Sequence, residues 1–214
     1  MSKLQVQKTF VIVVGAVLAL VASSAGADTI TFSGPLISDN DPPYTVFDAV
    51  IDYSYAAGKL TLDIQNDTVS PNAYTLSVLA FNVSSDVTAL SILNDGGLGN
   101  TSLTPNAHGD GFGVFDYVFD LGQGNNGITA GNSEIVTFNV TGSNLDTSDF
   151  FNGLSSSENK PVLATIHFTR GPDDDSAWVS PGTNDGGAPE PASISLLGLG
   201  LLGLVVRRIN RRGV

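Results

Sequence analysis

Between residues 28 and 179, apolar and polar side chains alternate in short runs separated by turn-forming residues. The cleanest run is 59–65, where Leu60, Leu62 and Ile64 share one face and Lys59, Thr61, Asp63 and Gln65 the other. A period of two predicts a half-buried strand. Looser alternation, rich in Val, Ile, Thr, Tyr and Phe, predicts further strands over 29–32, 47–55, 73–83, 87–93, 113–121, 134–141 and 161–170. Asn, Asp, Gly and Pro punctuate the runs at 39–43, 56–58, 66–67, 94–100 and 125–127. About eight or nine strands and no long helix in the body predict an all-β domain. The expected architecture is an antiparallel β-sandwich, with closure into a barrel as the alternative.

Two stretches break this pattern because they are continuously apolar. The first, 10–21, follows Lys3 and Lys8 and leads to Ala25-Gly26-Ala27. A positive start, an apolar stretch and a small-x-small site form a secretory signal peptide. Residues 1–27 are therefore read as a leader cut by signal peptidase after Ala27, with Ala25 and Ala27 at the cleavage site and Asp28 first in the mature chain. A permanent N-terminal anchor is the competing reading, and the shortness of the apolar run argues against it.

The second apolar stretch, 192–206, follows a small polar linker (180–188) and the triplet Pro189, Glu190 and Pro191. It ends in Arg207, Arg208, Arg211 and Arg212. About 15 apolar residues lie near the lower limit for a membrane-spanning helix, and arginines after it form a stop on the cytoplasmic side. With lysines preceding the leader, both ends sit inside and the body lies outside. Residues 189–214 thus read as proline motif, transmembrane helix and arginine cluster. This combination resembles the PEP-CTERM sorting signal of Gram-negative bacteria. The resemblance implies a substrate of exosortase, an inner-membrane cysteine protease that cleaves near the Pro-Glu-Pro motif. It also implies an exported protein, anchored transiently in the inner membrane and then placed at the cell surface or outside the cell. A plain single-pass anchor is the alternative. The order of the runs at 60–66, 112–119, 131–138 and 164–168, before 176–179, resembles the sandwich ectodomains attached to such tails and cohesin-like folds. That resemblance implies a jelly-roll or cohesin-like sandwich over 28–179.

Charge and composition narrow the function. The formal net charge is −12, and residues 28–188 carry 20 acids against 3 bases. Such a body repels phosphate backbones, so nucleic acid is excluded as a partner. There is no Cys, which excludes disulfides and thiol chemistry.

Candidate chemistry is sparse. His108 and Asp110 lie in a stretch read as a glycine-bounded loop, and no serine sits at a strand-to-helix elbow to serve them. His167 falls in an alternating strand and is expected on the solvent face. Asp173, Asp174 and Asp175 form the densest acidic run, with smaller clusters at 39–41 and 94–95. These are weak candidates for calcium, because no segment matches a full calcium-binding loop; no other cofactor is expected. Trp178, Tyr44, Tyr53, Tyr55, Tyr74 and Tyr117 are either core fillers or a sugar-stacking surface. Four sequons begin at Asn66, Asn82, Asn100 and Asn139.

The expectation is a non-enzymatic surface or matrix protein, structural or adhesive, associated with the exopolysaccharide of a biofilm. A carbohydrate-binding module, with or without calcium, is the second reading and a secreted hydrolase the third.

Overall fold

The computed structural model describes residues 27–33, 36–37, 47–69, 74–122, 126–157, 161–170 and 176–181. The expected signal helix and transmembrane helix, the sorting triplet and the arginine cluster lie outside them. Among the described residues, no helix is long and apolar enough to cross a membrane.

The body is an antiparallel sandwich of two sheets. The first has five strands in the order β1 (Ala27–Ser33), β3 (Asp48–Ala56), β4 (Lys59–Asn66), β10 (Ser133–Gly142) and β6 (Val87–Asn94). The second runs β2 (Leu36–Ile37), β12 (Ala177–Ser180), β11 (Ala164–Thr169), β5 (Thr75–Phe81), β8 (Gly113–Asp120) and β7 (Ser102–Gly109). The short β9 (Ile128–Thr129) pairs with the start of β5. One 3₁₀ turn, Thr147–Asp149, is capped by Asp146.

The period-two reading of β4 is realised: Leu60, Leu62 and Ile64 are fully buried and the intervening residues are not. These three residues share the inner face of their sheet with Phe32, Ile51, Val136 and Phe138, which complete that layer. The opposing layer comes from Leu79, Phe81, Phe119, Ile166, Phe168 and Val179. Aromatic rings lock the layers together: Phe119 of β8 meets Phe138 of β10 edge-on at 5.1 Å. Such pairs contribute beyond their buried area.

Turn chemistry fixes the registers. β3 and β4 are joined by Ala57 and Gly58, both with positive φ (51° and 77°), as a two-residue hairpin turn requires. Gly109 ends β7 where a Cβ would lie 2.6 Å from the Phe115 ring, so the hairpin into β8 closes only around a bare backbone.

A smaller apolar cluster lies on the outer side of the seven-stranded sheet. Ala80, Phe112, Phe115 and Val162 are buried there, with Val118 and Trp178 against them. Ser155 ties two of its members together: its N–H donates to the Val162 carbonyl and its hydroxyl donates to the Phe112 carbonyl. β12 extends to Ser180, and Pro181 is buried behind it.

Candidate functional site

The sandwich leaves a seam where the edge strands β6 and β7 approach one another. Both are poor templates for another strand. β7 contains Pro105, which has no N–H, and Asn106, whose φ is +50°. On β6, the Leu90 backbone is hydrogen-bonded to the phenol of Tyr117 from the other sheet. Burial pushes the Tyr117 phenol above its ordinary range; the Leu90 bond opposes this, and the Asp116 charge adds to it.

Between these edges lies a groove of about 440 Å³. Its apolar walls include Val83, Val87, Pro105 and Tyr117, and its polar walls include Ser84, Ser85, Thr88, Asn106 and Asp116. Pro105 and Tyr117 are cross-strand partners, so their rings lie side by side. Phe81 stacks on Tyr117 at 6.1 Å and fixes its plane. Asp116 is held from two directions: its backbone N–H donates to Asn82 Oδ1, and its Oδ2 accepts from the Val83 N–H. Asn82 is itself buried and ties its Nδ2 to the Gly153 carbonyl. Among the described residues, Asp116 Oδ1 has no hydrogen-bond partner. Among the described residues, the Asn106 amide and the Ser85 hydroxyl have no hydrogen-bond partner, and both residues are exposed.

The residues singled out from sequence fall elsewhere. His108 is not in a loop; it is an exposed residue of β7 opposite Val114, and Asp110 lies in the turn beyond it. β7 went unrecognised because Pro105 and a run of polar residues erase its alternation. His167 is not fully solvent-facing: Trp178 of the neighbouring strand stacks on it at 4.6 Å, nearly parallel. The β-bulge between His167 and Phe168 brings the Ser77 hydroxyl to 3.1 Å from His167 Nδ1 and 3.2 Å from its carbonyl. Tyr53 and Tyr74 are buried in the core, and Tyr55 packs against it with Phe150. Tyr44 lies outside the described residues.

The acidic segments divide similarly. Asp173, Asp174, Asp175 and the cluster at 39–41 lie outside the described residues. Asp95 is described, and its carboxylate accepts from the N–H groups of Gly97 and Gly99 and from the Thr101 hydroxyl. Those donors, Gly97 first, hold its carboxyl below the ordinary range against the opposing effect of burial, so the loop 95–101 folds around its own anion. Asp52 and Asp63 oppose each other across β3 and β4. Asp52 accepts from the Thr29 hydroxyl and the Gln65 amide, while Asp63 Oδ1 is buried with no partner among the described residues. Among the described residues, no three His, Cys, Asp or Glu side chains are grouped to hold a metal ion.

Two of the four sequons prove structural. Asn66 and Asn82 are buried with their amides bonded inside the protein, whereas Asn100 and Asn139 are exposed.

Asp28 pairs with Tyr53 at the start of β1, and the Tyr53 phenol is hydrogen-bonded to the Asp28 carboxylate. The reading of Asp28 as the first mature residue places a new terminus on an edge strand.

The family comparison bears on the tail. A model described as the PEP-CTERM protein-sorting motif matches residues 188–212. The chain carries a PEP-CTERM sorting motif. The match contains Pro189, Glu190, Pro191, the apolar run and all four arginines. The motif marks an exported protein with a C-terminal membrane-anchoring sorting signal, processed by an exosortase. Neither the curated proteins nor the solved structures contain a match to the chain.

Proposed function

We propose that this chain is a non-enzymatic surface protein of a Gram-negative bacterium. Its leader carries it across the inner membrane, and the helix over 192–206 holds it there. Exosortase then cuts near Pro189, Glu190 and Pro191. The freed body, on a jelly-roll or cohesin-like sandwich, has a structural or adhesive part in the exopolysaccharide matrix of a biofilm.

The PEP-CTERM motif at 188–212 carries this reading. Two prolines around Glu190 keep the triplet extended and available to a protease at the membrane face. The non-enzymatic part is supported by the histidines. His108 stands exposed on an edge strand, and His167 is stacked under Trp178 with Ser77 in the middle of a sheet. Neither arrangement provides a nucleophile with an oxyanion site beside it. No resident cofactor is needed; calcium at Asp173, Asp174 and Asp175 would be an accessory to matrix binding.

Fractionation of the host tests the reading. The processed protein should sediment with the exopolysaccharide and move to the medium in a strain that makes none. Recovery in the inner membrane of both strains would contradict it.

A further inference from the structure

The seam groove has the size and mixed lining of a small-molecule site, within the roughly 300–1,000 Å³ usual for one. Its chemistry narrows what can occupy it. Among the described residues no Lys or Arg lines it, so none of them neutralises a phosphate, sulfate or uronate. Asp116 brings a fixed negative charge, and the body around it is strongly acidic. An extended peptide is disfavoured because neither edge strand offers an uninterrupted row of free backbone groups. Pro105 and Asn106 break β7, and Tyr117 occupies the Leu90 backbone on β6. An acyl chain would leave the Asn106 amide and the Asp116 carboxylate facing hydrocarbon, at a cost of several kcal/mol on the order given for unpaired polar groups.

What remains is a ligand with flat apolar faces and a dense rim of neutral hydroxyls. Pro105 and Tyr117, cross-strand neighbours, supply rings to the apolar part of the lining. Asn106 supplies both donor and acceptor, Asp116 Oδ1 accepts, and Ser85 does either. Asp116 is pre-set by its bonds to Val83 and Asn82, so binding does not have to order it.

We infer that the groove between β6 and β7 binds a neutral glycan, stacked on Pro105 and Tyr117 and hydrogen-bonded by Asn106 and Asp116, with Asp116 excluding acidic polymers. This rests on the matrix association proposed above and assigns it a place and a sugar class.

Two substitutions separate the roles without disturbing the fold. Asn106→Gly removes the amide but keeps a residue at ease with positive φ. Asp116→Asn removes the charge and keeps an oxygen for the Val83 N–H. The processed protein and both variants, with unchanged thermal melts, are run in native gels containing exopolysaccharide from the host. That polymer is first divided on an anion exchanger into unretained neutral and retained acidic fractions. The expected result is retardation by the neutral fraction alone. Asn106→Gly should weaken it about tenfold, as loss of one or two net hydrogen bonds does. Asp116→Asn should begin to bind the acidic fraction. Retardation by the acidic fraction in the unaltered protein, wild-type binding by Asn106→Gly, or no retardation by either fraction would overturn the inference. Matrix association is judged separately by the host fractionation. A protein that sediments with the matrix yet ignores these substitutions refutes the groove alone, and one that never leaves the membrane refutes the broader reading.

Discussion

Asn66 fastens the two sheets together, and its removal is the sharpest test of how the sandwich is held. It is the last residue of β4 and fully buried. Its Nδ2 donates to the Tyr74 carbonyl at 2.8 Å, just before β5, and to the Ile128 carbonyl at 2.7 Å, in β9, both of the other sheet. Its Oδ1 accepts from the Thr68 hydroxyl at 2.7 Å and the Thr68 N–H at 3.2 Å. Asn66→Ala strands these groups away from water. The Thr68 hydroxyl, already 3.4 Å from the Tyr74 carbonyl, can turn to serve it. The Ile128 carbonyl and the Thr68 N–H are left unpaired. At about 1–3 kcal/mol for each buried orphan, with the lost packing added, the expected cost is about 3–5 kcal/mol. A domain of this kind holds only about 5–15 kcal/mol in total. Urea unfolding followed by tryptophan fluorescence measures the change as a fall in midpoint at unchanged slope. Asn66→Asp keeps the shape but points a carboxylate at two carbonyls, so it should cost at least as much at neutral pH and recover in acid. A loss below about 1 kcal/mol for Asn66→Ala would refute the claim that this amide joins the sheets.

Three further outcomes follow from the same structure. Burial raises the Tyr53 phenol well above its ordinary value of 10.0, with the charge and hydrogen bond of Asp28 adding to it. The protonated form is thus the one the fold holds, and stability should be full below pH 10 and fall as pH rises beyond it. Tyr53→Phe should flatten that alkaline limb in melts taken across the range. Burial, then the charge of Asp67, raises the Asp48 carboxyl, so its ionised form opposes folding. Asp48→Asn should therefore melt higher than the unaltered protein at pH 7, and the gain should vanish as acid protonates the aspartate. Phe138→Ala removes a fully buried ring that meets Phe119 across the two layers, and should cost about 3–5 kcal/mol in urea unfolding.

How much of this was legible in the sequence depended on the kind of interaction. β4 could be read residue by residue, because its alternation is caused directly by burial on one side. β7 could not, because an edge strand has little to bury and protects itself with Pro105 and Asn106, both of which look like loop residues. Asn66 and Asn82 resembled sugar-acceptor sites because a sequon records only three neighbours, whereas their partners lie as far as 62 and 71 residues away. The groove joins residues 83–88 to residues 105–117 across two sheets, and no periodicity links such segments. The His167 and Trp178 stack followed from a strand pairing that β12, only four residues long, barely announces. The sorting tail stood out because it is read as a linear segment by a membrane and a protease, so its chemistry lies in consecutive residues.

A protein that carries a PEP-CTERM motif is expected to be exported and then cut at that motif. The intact mass of the native protein, taken from the host with and without its exosortase, tests this most directly. The full chain has a mass of 22.1 kDa. A species that begins at Asp28 and ends near Pro189 is expected only when the protease is present, recovered outside the inner membrane. A chain still reaching Val214 in both strains and recovered from the membrane would show that the tail is a permanent anchor.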